Sequence, residues 1–345
     1  MTLSDTKIAV VGAGLIGRKH IDLVRAKAQL HAIVDPAEAA HALAQSLGVP
    51  WFSDLNECLK DAQPDGVIVA SPNGLHLAHG SICLEHSLPV LIEKPLAETV
   101  AASRRLVELV ASTGTPVLVG HHRRHSPIIH AAKAVMEGNQ LGRLVAVNAM
   151  FWLNKPGDYF DMTWRTEPGG GPTYINLIHD IDLLQYLCGP IVEVQAREAN
   201  GVRGFAVEDT SAIILSFANG ALGTVTVSDT VSAPWSWELT AAENPAYPET
   251  DQSCYMIGGT EGALSLPDLR VWSHQGTQSW WSPMTTDKID VSKADPVAAQ
   301  LDHFLNVIAG RVDPLVKAED GLRNIEVLEA IKTAAKQGGT VRVAG

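Results

Sequence analysis

The sequence predicts an α/β protein in two parts: an N-terminal doubly wound parallel sheet, then an α+β domain with a large, mostly antiparallel open sheet. Three observations carry this. Up to about residue 120, short β-branched runs alternate with helical stretches, the grammar of parallel strands joined by crossover helices. A glycine pattern follows the first run directly. Beyond about residue 125 the alternation gives way to closely spaced strand-like runs with a hairpin signal between two of them.

The early runs are Lys7 to Val11, Leu30 to Val34, Gly66 to Ala70, Val90 to Ile92 and Pro116 to Val119. They are apolar throughout, as strands read when helices cover both faces of a sheet. Ile8-Ala-Val-Val-Gly12-Ala-Gly14-Leu15-Ile16-Gly17 places GxGxxG between a strand and a helix. Gly12 permits the tight turn, Gly14 lets the backbone approach a pyrophosphate, and Gly17 lets helix and strand pack closely. The N–H groups at the helix start, around Leu15 and Ile16, face the anion. Asp35 ends the second run, 35 − 12 = 23 residues after the first glycine, where a carboxylate binds ribose hydroxyls. The segment reads as a Rossmann dinucleotide-binding domain, here 1–122. Asp35 favours NAD over NADP, because a carboxylate repels a 2′-phosphate and no Arg follows at once.

The second part, 123–345, is expected to carry substrate. Its strands are expected at Ile191 to Ala199, Asp209 to Phe217, Ala221 to Val227, Ser253 to Ile257 and Ala263 to Leu266. Asn219-Gly220 predicts a tight turn in which both residues take positive φ. Asp295 to Ile308 and Glu319 to Lys336 read as amphipathic helices, and Pro234 to Gln252 as a long loop.

The totals narrow the function classes. The 345 residues suit two ordinary domains, and 46% hydrophobic with 19% charged residues suits a globular chain. A net charge of −12 argues against a nucleic-acid or anionic-membrane partner, since such binders concentrate Lys and Arg. No unbroken apolar run approaches the ~20 residues of a bilayer span, and Ile8 to Ile16 lacks a basic leader, so a cytoplasmic address is expected. Cys58, Cys83, Cys188 and Cys254 match no zinc or redox spacing; they read as reduced packing residues, with no metal expected.

Ligands in open α/β sheets sit outside the carboxyl ends of the strands. That places Ser71, Pro72, Asn73 and His76, after the Gly66 to Ala70 run, and Glu93 and Lys94, after Val90 to Ile92, on the cofactor side. Ser71 to His76 reads equally as an ordinary turn opening a helix. A Lys beside a ring that turns cationic on oxidation is driven toward lower pKa and can hydrogen-bond a substrate hydroxyl. Pro95 restricts Lys94 to extended geometry and leaves the isomer open.

Gly169-Gly170-Gly171-Pro172 leads into Thr173 to Cys188, read as one amphipathic helix stopped by Gly189, with Leu177, Ile181, Leu184 and Cys188 as its apolar row. His179 and Asp182 share another face at i, i+3, with Asn176 one turn earlier. A His whose tautomer is fixed by a carboxylate makes a general base for a hydroxyl proton.

Gly12-x-Gly14-x-x-Gly17, Ser71 to His76, Glu93-Lys94-Pro95 and the triple glycine leading to His179 together resemble the glucose-fructose oxidoreductase / inositol dehydrogenase / rhizopine catabolism (Gfo/Idh/MocA) family, over essentially the whole chain. The resemblance implies hydride transfer from a sugar or cyclitol carbinol to NAD, His179 taking the hydroxyl proton and Lys94 orienting and polarising the oxygen. It also implies a homodimer or homotetramer. Two departures stand out: Ile175 occupies the position four before the His where many members carry Asp, and Gly120 to His125 replaces an aromatic-rich segment. Asn176 can orient substrate but cannot take a proton. Arg123, Arg124 and Arg165 suit a carboxylated substrate, or else form a solvated basic patch. Of seven tryptophans in the second part, Trp152 and Trp164 flank the loop before the glycine run and are expected near substrate. An NAD-retaining glycoside hydrolase fits the same residues; a nucleotide-sensing regulator would not need both Lys94 and His179.

Overall fold

The computed structural model describes residues 3–344. In chain order it begins β1 Lys7–Val11, α1 Leu15–Lys27, β2 Gln29–Val34, α2 Glu38–Leu47, β3 Trp51–Phe52, α3 Leu55–Asp61, β4 Gly66–Val69, α4 His76–Glu85, β5 Val90–Ile92, α5 Val100–Thr113 and β6 Val117–Val119. These strands make a six-stranded parallel sheet in the order β3-β2-β1-β4-β5-β6, the order reversing between β1 and β4. Ile8 to Val10, Val67 to Val69 and Val90 to Ile92 are completely buried, as their unbroken apolar runs require. The two-residue β3 has no counterpart in the sequence expectation, being too short for a periodic signal.

The chain continues α6 Pro127–Glu137, β7 Leu144–Trp152, α7 Pro172–Ile175, α8 Leu177–Cys188, β8 Ile191–Ala199, β9 Thr210–Phe217, β10 Leu222–Ser228, α9 Trp237–Thr240, β11 Tyr255–Gly259, β12 Gly262–Leu266, β13 Arg270–His274 and β14 Met284–Lys288. It closes with α10 Pro296–Ile308, α11 Ala318–Gln337 and β15 Thr340–Arg342. The second sheet has nine strands, order β14-β13-β12-β11-β7-β10-β9-β8-β15, antiparallel except between β7 and β10. Along its strands burial alternates: Val147, Ala149 and Phe151 point inward, while Ile214, Leu222, Met256, Trp272 and Met284 are exposed on the other face.

Several expectations change. The β9–β10 connection is a four-residue loop, Ala218 to Ala221, in which Gly220 alone takes positive φ, 87°, while Asn219 supports it through Oδ1 accepting from the Ala221 N–H at 3.1 Å. The helix expected over Thr173 to Cys188 is broken at Asn176, which caps α8 with φ −108° and ψ −54°. Nor is α8 amphipathic: Leu177 through Leu184 are all buried. The Pro234 to Gln252 loop contains the single-turn α9.

The chain divides into two compact units, residues up to His125 with Pro296–Ile325, and Ser126–Asp295 with 326 onward. The sequence reading gave all of 123–345 to one domain; the structure groups α10 and the first turns of α11 with the parallel sheet. Leu301, Phe304, Leu305 and Val307 enter the core around that sheet, which is what recruits the segment. All four cysteines are buried and free, and burial pushes the thiols of Cys58, Cys83 and Cys188 up to about 12. Among the described residues no helix is long and apolar enough to cross a membrane.

Candidate active-site residues

In the first unit the three glycines meet three different constraints. A Cβ on Gly12, at φ 93°, would lie 2.5 Å from the Ala70 carbonyl oxygen, and one on Gly17 would lie 2.0 Å from the Gly12 carbonyl oxygen. Both positions exclude a side chain because backbone is already there. Around Gly14, nothing stands within 4 Å of a Cβ. Gly14 is also the N-cap of α1 and offers no side-chain cap, so the helix's first N–H groups remain available to an anion. Asp35, at the end of β2, holds the turn in place: Oδ2 accepts from the Ala13 N–H and Oδ1 from the Ala37 N–H, both at 2.8 Å. The open space at Gly14, the uncapped helix and the carboxylate fit a dinucleotide. Leu15, 91% exposed, lies beside that space.

The neighbouring strand ends carry the remaining first-unit candidates. Asn73 opens a short 3-10 turn, and Ser71 Oγ lies 2.9 Å from His79 Nδ1. His76 is fully buried, its ring nitrogens 2.7 Å from the Pro95 oxygen and 2.9 Å from the Ser71 oxygen. It therefore ties the two strand-end loops together through the Ser71 and Pro95 carbonyls, where the sequence reading expected it to touch the cofactor. The Lys94–Pro95 bond is cis. Glu93 is 6% exposed, with Oε1 2.8 Å from His20 Nε2 and Oε2 accepting from the Lys94 N–H at 3.1 Å. Burial alone would raise its carboxyl; the His20 bond and the charges of His20, His122 and Lys94 together hold it below the ordinary range. Burial pushes His122 down to about 4.

Arg123, Arg124, His121 and His125 are buried, which rules out a solvated basic patch. Arg124 Nη1 lies 3.3 Å from Asp320 Oδ2, an internal partner.

In the second unit, Asn176 and His179 occupy the first turn of α8, the His179 N–H donating to the Asn176 carbonyl at 3.1 Å. Asn176 Oδ1 is buried and makes no hydrogen bond among the described residues. His179, Asp180 and Asp182 are 8%, 1% and 1% exposed. The Tyr255 hydroxyl donates to Asp180 Oδ1, anchoring α8 to the inner face of the sheet. Two glycines of the run leave room for close packing: a Cβ on Gly170 would lie 2.2 Å from the Trp164 carbonyl oxygen, and one on Gly171 would lie 2.4 Å from Glu208 Oε1. That oxygen accepts from the Thr173 N–H at 3.0 Å, and Lys332 Nζ reaches Glu208 and Glu198 at 2.6 and 2.8 Å. Glu208 thus caps α7 and fixes the approach to α8.

Trp152 is not brought to the α8 side. Strand alternation turns it to the opposite sheet face, where its Nε1–H donates to Thr226 Oγ1 at 3.0 Å and its ring meets Trp235 edge-on. Trp164 is 50% exposed, and Arg165 lies over the Tyr159 ring, 4.0 Å from its centroid, donating from Nη1 to the Tyr159 carbonyl at 2.6 Å. Lys155 shares that ring at 4.5 Å, is 7% exposed, and stands 3.9 Å from Asp229 Oδ2. Burial pushes its amine down to about 8, Asp229 opposing and Arg203 and Arg165 reinforcing. The sequence reading missed Lys155, Glu208 and His20. His20 had a signal, a titratable residue on the buried row Gly17, His20, Ile21, Val24 of α1.

A family model described as the oxidoreductase family, NAD-binding Rossmann fold, matches residues 6–121, and one described as the GFO/IDH/MocA C-terminal domain matches residues 129–265. The chain belongs to the Gfo/Idh/MocA family. Inositol 2-dehydrogenase 2 of Saccharopolyspora erythraea is 31% identical over 242 residues, 67% of this chain and 68% of that protein. Two solved structures share the fold. One is the WlbA dehydrogenase of Bordetella pertussis in complex with NADH and UDP-GlcNAcA, with TM-score 0.79 and 23% identity over 99% of both chains. The other is an oxidoreductase of Agrobacterium radiobacter in complex with NAD+, L-tartaric acid and magnesium, with TM-score 0.82 and 22% identity over 98% of both. As a Gfo/Idh/MocA member with an intact glycine turn and Asp35, the chain is an NAD-dependent dehydrogenase acting on CH–OH groups.

Proposed function

We propose that this Gfo/Idh/MocA enzyme oxidises a secondary hydroxyl of a sugar, cyclitol or related polyol, including carboxylated ones. Bound NAD supplies the hydride acceptor. Gly12, Gly14, Gly17 and the α1 N–H groups hold its pyrophosphate, Asp35 its ribose, and Ser71, Pro72 and Asn73 line its path. His179 takes the hydroxyl proton, Lys94 hydrogen-bonds and polarises the same oxygen, and Asp182 orients His179.

The observation that carries this reading is the first turn of α8. Asn176 presents a buried carbonyl oxygen without a donor, one turn ahead of His179. A buried acceptor left unmade is costly, and a substrate hydroxyl satisfies it. Arg165, which has no carboxylate partner among the described residues, is the group proposed to take a substrate carboxylate, with Arg123 and Trp164 as further contacts. The tartaric acid held by the Agrobacterium relative makes hydroxy acids worth including as substrates.

The test is incubation with excess NAD and a panel of inositols, sugars and hydroxy acids. NADH accumulation with one class, lost in His179→Ala and Lys94→Ala, supports the reading; release of aglycone from glycosides without net NADH overturns it in favour of a hydrolase. We propose further that the exposed apolar sheet face seats a second copy, as a homodimer or homotetramer. Light scattering that gives a monomer mass refutes this.

A further inference from the structure

We propose that the buried His20–Glu93 pair is a positioning device for Lys94, tying the pyrophosphate-binding helix to the strand end that bears the ammonium and placing a fixed negative charge beside it. The inference rests on the proposed role of Lys94.

Glu93 joins four segments. Its N–H donates to the Val69 carbonyl at 2.9 Å, on β4, and its side chain reaches His20 on α1 at 2.8 Å. Its second oxygen receives the Lys94 N–H, and Gly120, beyond β6, is the residue that gives it room, since a Cβ there would lie 2.8 Å from Glu93 Cα and Oε2. His20 is 0% exposed and stands one turn after Gly17, in the helix whose N-terminus faces the dinucleotide site. Movement of α1 is thereby transmitted to the backbone of Lys94 through two hydrogen bonds and no flexible linker.

A carboxylate withdrawn from water is costly unless paired, and apolar packing is the ordinary occupant of such a position. What an apolar residue lacks is charge. The groups facing Glu93 are His20, His122 and Lys94, and His122 is neutral at ordinary pH because burial pushes it down to about 4. Lys94 is among the charges that keep the Glu93 carboxylate ionised, and by reciprocity that carboxylate favours the proton on Lys94. The cationic nicotinamide of bound NAD drives the proton off; Glu93 opposes this.

The experiment is a magnetic-resonance titration of Lys94, carried by isotope-labelled methyl groups on the lysines of the NAD-bound enzyme and assigned by the signal lost in Lys94→Arg. In Glu93→Gln, Lys94 should release its proton at a pH lower by about one unit, a roughly tenfold loss of proton affinity, and the alkaline limb of the rate profile should move with it. His20→Leu, which cuts the tie to α1 and leaves the Glu93 charge in place, should keep Lys94 near its parental titration and lower kcat. An unshifted Lys94 in Glu93→Gln, or a parental kcat in a His20→Leu protein that keeps the parental melting temperature, overturns the proposal. If Lys94→Ala still turns over polyol, the proposed function fails and the pair does not. If Lys94→Ala is inactive while Glu93→Gln keeps the parental titration and rate profile, the pair fails and the function does not.

Discussion

Gly14→Ala and Gly17→Ala add the same methyl group three residues apart, yet the structure predicts opposite consequences. At Gly17 the new carbon would sit 2.0 Å from the Gly12 carbonyl oxygen, far inside van der Waals contact, so α1 must move away from the turn. Overpacking of this kind costs about 1–3 kcal/mol or more, a loss of several degrees in melting temperature for a domain of this size. At Gly14 the carbon meets nothing within 4 Å, and φ −70° with ψ −167° is accessible to alanine. The loss of glycine at an N-cap costs under ~1 kcal/mol, so Gly14→Ala should melt within a degree or two of the parent. What it fills is the space assigned to the pyrophosphate. A methyl clash of about 1–3 kcal/mol there weakens NAD binding roughly 5- to 150-fold. Differential scanning fluorimetry without ligand, paired with calorimetric titration of NAD, separates the two effects. A Gly14→Ala protein that binds NAD within twofold of the parent would refute the assignment of that space.

Three further outcomes are expected. His179→Ala should lower kcat by about 10²- to 10⁴-fold with little change in NAD affinity, the range for loss of a general base, read from steady-state rates and NAD titration. Tyr255→Phe removes the hydroxyl that donates to the buried Asp180 Oδ1 and should destabilise by about 1–3 kcal/mol, measured by denaturant melts. Lys155→Met should stabilise at neutral pH: folding depresses this amine from 10.5 to about 8, so between those values the unfolded chain binds more protons and parental stability rises with pH. The gain in melting temperature is therefore largest below pH 8 and shrinks toward pH 10, and a gain that does not vary with pH would show that Lys155 carries no such penalty.

The parallel sheet was legible because its strands are buried on both faces, and an unbroken run such as Val67-Ile-Val69 has no other economical reading. The second sheet was legible only in part. Strand β7 alternates cleanly, with Val147, Ala149 and Phe151 inward and Asn148 and Met150 outward, so its signal was present in the sequence and was overlooked. Strands β13 and β14 lie at the edge, and Met284–Lys288 is nearly all polar and exposed, which leaves no hydrophobic period to read. The return of α10 to the first unit was not legible, since an apolar stripe such as Leu301, Phe304 and Leu305 specifies that a helix is covered and not by what. At the site, the glycine turn and Asp35 follow from local geometry and were found. His20 with Glu93, and Glu208 with Gly171, join residues 73 and 37 positions apart, and single-sequence patterns carry no information about such pairings.

The claim at the centre of this account is that a carbon-bound hydrogen leaves the substrate's carbinol as hydride. A polyol from the reactive class, deuterated at that carbon, tests it directly with mass spectrometry of the reduced dinucleotide. Deuterium recovered on the nicotinamide, and absent when His179→Ala replaces the parent enzyme, is the predicted result. Deuterium found only in solvent, or left on an unoxidised product, would contradict it.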